Sequence, residues 1–225
     1  MGARTMRLEQ LARLCQGEWR RAPHPAAPSG FAALDASLPG GGWPIGAIAE
    51  LMPEAMGIGE VGLLAPALST LARAGRYILW IAPPYLPHAP GLVQWGLPLE
   101  RLLIIQTRGL QQSLWAAEQA LRCPAVGAVL SWPAEIADRN VRRLQLAAEA
   151  GGSLGILFRP AGAAREHSPA ALRLRLRPTA QGLAVDIHKC RGGRAGRCLL
   201  LPLSGSLHPS PTDDVAVHPS AATGA

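Results

Sequence analysis

The sequence predicts an α/β domain: a mainly parallel sheet flanked by helices, with an antiparallel C-terminal extension and a separate N-terminal helix. Between residues 46 and 158, short continuous apolar runs alternate with segments that carry apolar residues at helical spacing. Continuous apolar strands separated by helices are typical of a parallel sheet covered on both faces. After Arg159 this pattern gives way to strict alternation, as in "ALRLRLRP". Such alternation indicates strands with one buried face.

Each element is predicted from its local pattern. Apolar runs such as "GAIAEL", "YILWIA" and "VGAVLSW" indicate strands, and the spacing of Leu114, Ala117 and Leu121 indicates a helix. Strands are expected at 46–51, 77–82, 102–106, 126–132 and 154–158, helices at 60–74, 91–95, 110–122 and 136–150, and the extension strands at 171–178, 183–190 and 197–203.

The chain divides into four predicted parts. Residues 1–22 read as a helix, because Leu8, Leu11, Cys15 and Trp19 recur at helical spacing. The Pro-rich residues 23–29 are a predicted linker, since proline cannot continue a helix. Residues 30–203 form the main domain, and residues 204–225 have the composition of a disordered tail.

Composition excludes several classes of protein. The chain has 225 residues, 48% of them apolar, but no run approaches the ~20 apolar residues that span a bilayer. Its N-terminus lacks a secretory signal, and its cysteines (Cys15, Cys123, Cys190, Cys198) lack zinc-like spacing. We therefore expect a cytoplasmic protein with reduced cysteines, no membrane contact, no metal and no cofactor.

Positive charge is concentrated in the C-terminal third. The formal net charge is +7, and Lys189 is the only lysine. Arginine suits bidentate contacts with phosphate or carboxylate, although a GC-rich genome explains an arginine bias equally well.

The stretch "PEAMGIGEVG" (53–62) lies between a predicted strand and a predicted helix, where a phosphate-binding loop would lie. The phosphate-loop motif requires Gly-Lys-Ser/Thr at its end, whereas this chain has Gly57, Ile58 and Gly59. By itself, the stretch is compatible with a nucleotide site, a degenerate one or an ordinary loop.

A series of motifs carries a resemblance to a known family. They are "LPGGGWP" (38–44), "GIGE" (57–60), "WIAPPYLPHAPGL" (80–92), "LWAAEQAL" (114–121), "RRLQLAAEAGGSLGILFRP" (142–160) and "HKCRGGRAG" (188–196). In this order they resemble the bacterial ImuA family of RecA-like proteins, often labelled SulA-like, and they cover most of residues 30–203. The resemblance implies a RecA-like core and an accessory role in damage-induced, error-prone translesion DNA synthesis. The implied partners are an ImuB-like Y-family protein and an associated polymerase subunit, with RecA and DNA as further candidates.

The same resemblance implies that the ATPase site is degenerate. Ile58 replaces the lysine and Gly59 the hydroxyl residue of the loop. Pro84 stands where the catalytic Glu would follow its strand, and Ser131 where a metal-side Asp would end another. Because three elements of phosphoryl-transfer chemistry are missing together, we expect no ATP hydrolysis and no catalytic residue.

Two basic features are candidate DNA- or anion-binding sites. Arg173, Arg175 and Arg177 are expected to point outward along one strand at intervals of ~6.6 Å. The turn "KCRGGRAGR" adds Lys189, Arg191, Arg194 and Arg197. The alternatives are a solvated, charge-protected edge strand that binds nothing, an ordinary basic hairpin turn, or a surface for an acidic partner.

The N-terminal helix is a candidate partner-binding arm through Leu8, Leu11 and Trp19. Its alternative is an arm folded back onto its own core.

Three classes of function therefore follow from the sequence. The first is the translesion-synthesis accessory protein. The others are a SulA-like cell-division inhibitor that binds FtsZ and a RecA-like DNA-binding ATPase.

Overall fold

The computed structural model describes residues 4–6, 10–11, 15 and 26–203, and it has an α/β architecture. Helices are α1 (Ala32–Asp35), α2 (Ala65–Arg73), α3 (Ala89–Gln94), α4 (Leu110–Arg122) and α5 (Asp138–Gly151). Strands are β1 (Arg4–Thr5), β2 (Ala26–Ala27), β3 (Trp43–Pro44), β4 (Ala47–Pro53), β5 (Tyr77–Ile81), β6 (Leu102–Ile105), β7 (Val126–Ser131), β8 (Leu154–Phe158), β9 (Leu172–Thr179), β10 (Gly182–Cys190) and β11 (Arg197–Leu201).

Nine of these strands form one mixed sheet in the order β1-β6-β5-β7-β8-β4-β9-β10-β11. In this sheet, every neighbouring pair from β1-β6 to β4-β9 is parallel, whereas β9-β10 and β10-β11 are antiparallel. The parallel sheet with flanking helices and the antiparallel C-terminal extension are confirmed.

The two faces of the sheet carry separate apolar cores. On one face, α2 packs with apolar side chains such as Trp43, Leu51 and Phe158. On the other face, α4 and α5 pack over Ile48, Leu79 and Val129. The central strands β4 and β8 are buried along their whole length, which explains their continuous apolar sequence.

Several short elements were not predicted, because two- to four-residue segments show no periodicity. Ala26–Ala27 (β2) lie inside the predicted linker, and they pair antiparallel with Trp43–Pro44 (β3). Both alanines are buried. Gly42 lies directly under this pairing, where a Cβ would collide with the backbone of Ala27.

The expected separation of the N-terminal helix is wrong for its described part. Leu11 is 1% exposed and packs in the core beneath α4 and α5, so this part of the arm folds back onto its own domain. Leu8 and Trp19 lie outside the described residues, as does the predicted tail at 204–225.

The expectation of four reduced cysteines is also corrected. Cys15 and Cys123 form a disulfide, with Cα atoms 5.1 Å apart, while Cys190 and Cys198 are free thiols. The burial of Leu11, one helical turn before Cys15, brings the first sulfur to the end of α4, where Cys123 follows Arg122. Spacing in the sequence carries no sign of this pairing.

No helix within the described ranges is long and apolar enough to cross a membrane.

Candidate functional site

The residues of the predicted degenerate nucleotide site follow the carboxyl ends of three parallel strands. Gly57, Ile58 and Gly59 follow β4, Pro84 follows β5, and Ser131 ends β7. Because parallel strands run in the same direction, all five residues lie at the end of the sheet where the strands have their carboxyl ends. This is the end at which α/β sheets bind ligands. Strand β8 separates β4 from β7, so Ser131 is not adjacent to the loop.

The loop after β4 is filled by side chains of the protein itself. The carboxylate of Glu60, which is only 6% exposed, accepts the backbone N–H of Gly57 at 2.9 and 3.1 Å. A bound phosphate would compete with this carboxylate for the same donor. Ile58 packs against the core, and a Cβ at Gly59 (φ +101°) would collide with Leu203. The sequence signal for this contact is a Glu three residues after a loop glycine, Gly57 and Glu60.

Three aromatic side chains pack together at the same edge. The Trp132 ring stacks on Phe158 with centroids 4.9 Å apart, and Trp80 lies 5.5 Å from Trp132. Trp80 is buried, and its indole N–H has no hydrogen-bond partner among the described residues. This cluster packs between the ends of β5, β7 and β8, and sequence analysis did not identify it.

Beyond β5, the chain presents an apolar loop to solvent. Ala82 has the left-handed backbone angle φ = 47°, which is unusual for a residue other than glycine. Pro84 is exposed in this loop, and the next side chains, Tyr85 and Leu86, are 74% and 79% exposed.

The predicted outward row of arginines is wrong for Arg173. Its side chain is 3% exposed, and its Nε donates to the buried carboxylate of Glu50 at 2.6 Å. Arg173 is also held by the carbonyls of Ala163 and Glu166. The segment between β8 and β9 covers the sheet at Arg173. The arginine-bearing face of β9 is therefore buried at this residue.

Glu50 is the centre of this buried charge cluster. It is 0% exposed, and it also accepts hydrogen bonds from Ser168 Oγ at 2.8 Å and from Arg159 at 3.4 Å. Arg159 in turn donates to Glu166 at 2.7 Å. The cluster therefore ties β4, β8 and β9 to the covering segment.

Of the other two arginines of the row, Arg175 is exposed and Arg177 half-buried, and both are paired. Arg175 donates to Glu54 at 3.0 Å, and Arg177 to Asp186 at 3.1 Å. Although partial burial alone would raise the pKa of Asp186, the hydrogen bond from Arg177 lowers it below its usual value. Since all three guanidinium groups have carboxylate partners, the row offers less free charge for DNA than the sequence predicted.

The β10–β11 hairpin carries the remaining basic residues. Lys189 donates to the carbonyl of Ser168 at 2.6 Å, and burial lowers its pKa. Arg191, Arg194 and Arg197 are exposed, and none of them forms an ion pair with a described residue. Of the predicted anion-binding residues, these three are both exposed and without an ion-pair partner among the described residues; Lys189 also has none, but it is partly buried.

A metal site is not evident in the described part of the chain, where no three His, Cys, Asp or Glu side chains are grouped to hold an ion.

Comparison with known proteins places these features in a family. The model of the family "Cell division inhibitor SulA" matches residues 46–155. "Protein ImuA" of Caulobacter vibrioides is 29% identical over 85% of this chain and 89% of its own length. Cell division inhibitor SulA of Serratia marcescens is 30% identical, over 51% of this chain and 68% of its own length. The crystal structure of SulA from Pseudomonas aeruginosa is 27% identical, covering 50% of this chain and 97% of that chain, with a TM-score of 0.42. The chain therefore belongs to the ImuA family and contains a SulA-like domain at residues 46–155.

Proposed function

We propose that this chain is a non-catalytic accessory protein of damage-induced, error-prone translesion DNA synthesis that acts through protein contacts. The similarity to ImuA covers 85% of the chain, which is far more than the SulA-like domain alone. Strands β9, β10 and β11 follow that domain, so the feature that extends it is an antiparallel sheet bearing a basic hairpin.

The proposed core is a RecA-like domain whose nucleotide site is lost. In its support, a strand, a glycine-containing loop and a helix occur in the order that phosphate loops use, at β4, residues 54–64 and α2. A working loop directs free backbone N–H groups and a lysine at the phosphates. Here Glu60 accepts the Gly57 N–H, and Ile58 packs on the core. The capture of Gly57 by an internal carboxylate is the single observation that carries the non-catalytic part of the proposal.

Its proposed partners are an ImuB-like Y-family protein with its associated polymerase subunit, and RecA. Protein contact is favoured over DNA contact because Arg173, Arg175 and Arg177 are neutralised by Glu50, Glu54 and Asp186. Salt-dependent DNA binding needs several unpaired cations along a phosphate backbone.

Two measurements test the proposal. The purified chain should co-purify with the ImuB-like protein encoded in the same genome. Titration with a fluorescent ATP analogue and Mg²⁺ should give no saturable binding. Micromolar nucleotide affinity would overturn the argument from Glu60 and Ile58, and failure to capture the ImuB-like protein or RecA would overturn the accessory role.

A second candidate function is cell-division inhibition, favoured by the match of residues 46–155 to the SulA family model. Sedimentation of FtsZ polymers in the presence of the chain distinguishes the two functions. An unchanged polymer pellet is expected from the accessory role, whereas loss of the pellet at stoichiometric protein supports the inhibitor.

A further inference from the structure

Strand β11 forms one edge of the described sheet, and its sequence resembles that of an interior strand. At the opposite edge of the described sheet, the short strand β1 pairs with β6, so that β6 has a neighbour on each side. In contrast, β11 pairs with β10 alone. Its residues Leu199, Leu200 and Leu201 make a continuous apolar run. Such runs are typical of strands buried on both faces with a neighbour on each side.

The side chains of β11 are unevenly covered. Leu201 is buried and Leu199 half-buried on the face shared with Val185 of β10, while Leu200 on the opposite face is 48% exposed. Natural edge strands are usually protected by charge, proline or a bulge. Arg197 and Pro202 protect only the two ends of this edge.

Positive charge without an ion-pair partner among the described residues lies at one end of the same edge. Arg191 and Arg194 lie in the turn that leads into β11, and Arg197 begins the strand. Among the described residues, Arg191 donates to neutral acceptors: its guanidinium to the carbonyl of Pro169 and its backbone N–H to that of Ala171. The one carboxylate on β10, Asp186, is already bound by Arg177.

We propose that β11 is a docking edge for an extended, acidic segment of a partner protein, which adds to the sheet as a further strand. Alternate backbone groups of β11 supply hydrogen bonds, Leu199 and Leu200 receive apolar side chains, and the hairpin arginines receive carboxylates. A nucleic acid would need cations spread along its length, whereas here they cluster at one end of an apolar strand. This inference rests on the proposed function, because it names the surface used for partner contact.

The test compares substitutions at the edge with matched substitutions elsewhere. Leu200→Lys puts a charge on the exposed face of β11, and Leu146→Lys makes the same change at an exposed leucine of α5. Arg194→Glu reverses a hairpin charge, with Arg139→Glu on α5 as its control. We expect the edge variants to weaken binding of the ImuB-like protein by about tenfold or more, and the controls to leave it unchanged. Binding should also weaken as salt concentration rises.

Hydrogen exchange identifies the mode of binding. The partner, or an overlapping synthetic peptide of it, should slow exchange of amides within residues 197–201. An equal affinity of wild type and L200K, or unchanged exchange at β11, would refute the docking edge.

Other occupants give different results, each of which overturns the proposal. Binding of a fluorescent oligo-dT that R194E abolishes, with partner affinity intact, assigns the hairpin to DNA. A dimer in light scattering that L200K dissociates assigns the edge to a second copy. Amides of β11 that are protected in the full chain but not in a chain ending at Leu203 assign it to residues 204–225.

Failure of the proposed function is recognised separately. If wild type does not bind the ImuB-like protein, the edge is tested with acetyl-Asp-Glu-Val-Thr-Val-Thr-Val-amide and a Lys-Lys control peptide. Protection of residues 197–201 by the acidic peptide, but not by the control peptide, supports the docking edge. If the acidic peptide in large excess gives no protection, the docking edge is refuted.

Discussion

Replacing Glu50 by Gln should destabilise the protein strongly, because this carboxylate is the shared acceptor of two buried arginines. Arg173 and Arg159 are each 3% exposed, and they approach Glu50 at 2.6 and 3.4 Å. In Glu50→Gln the side chain keeps its size but loses its charge. Arg173 then has no carboxylate partner among the described residues, and Arg159 keeps only Glu166, which is 58% exposed.

The expected loss in the free energy of unfolding is large. Removing one partner of a buried ion pair typically costs about 3–5 kcal/mol, because the remaining charge is left uncompensated. Domains of this kind are stable by only about 5–15 kcal/mol in total. With a urea m value of about 2 kcal/mol/M, a loss of ~4 kcal/mol moves the unfolding midpoint down by about 2 M.

The matched control is Glu54→Gln, one residue beyond the end of the same strand. Its partner Arg175 is 45% exposed and Glu54 is 40% exposed, so solvent screens the pair. Exposed pairs contribute about 0–1 kcal/mol, and the midpoint should barely move. If urea titrations followed by circular dichroism give E50Q and E54Q the same midpoint, the assignment of a buried, stabilising cluster is wrong.

Three further predictions concern the extension and the N-terminal segment. The Arg177 hydrogen bond holds the folded-state pKa of Asp186 below its usual value, so this group adds stability above its unfolded pKa that is lost as pH falls through the folded pKa. Asp186→Asn should therefore flatten the fall in stability below about pH 4, and an identical acid titration would contradict this. Leu11→Ala should lower the free energy of unfolding by about 2–5 kcal/mol in urea, since the side chain is 1% exposed; an unchanged midpoint would place Leu11 outside the core. Dithiothreitol should lower the Tm of wild type but not of Cys15→Ser, and equal shifts would exclude the bond to Cys123.

The parallel half of the fold could be predicted because its strands are buried on both faces. β5 and β8, for example, occupy the segments that apolar runs indicated, and α4 matches its predicted bounds. The short pairing of β2 with β3 could not be predicted, since Ala26–Ala27 carry no pattern beyond a proline-rich composition.

The environment of Arg173 shows why the site was harder to predict. Alternation in β9 correctly separates leucines from arginines, but it does not say what covers the arginine face. The segment between β8 and β9 covers Arg173, and the neighbouring strand β4 supplies its carboxylate partner, since Glu50 lies beside Arg173 although 123 residues separate them. For the loop after β4, the missing lysine and hydroxyl could be read from Ile58 and Gly59. The capture of the Gly57 N–H by Glu60 needed the turn geometry.

The position of β4 has a consequence for how the protein folds during synthesis. Residues 47–53 are among the first of the core to leave the ribosome, yet both neighbours in the sheet, β8 and β9, begin only at Leu154 and Leu172. Pairings between such distant segments form slowly, because a long loop must close before any contact compensates for its entropy. During elongation, the apolar strand with Ile48, Leu51 and Met52 therefore stays unpaired while about a hundred further residues are synthesised, because neither β8 nor β9 yet exists. We expect nascent chains stalled before residue 154 to depend on chaperones, and refolding of the full chain to become less efficient as protein concentration rises.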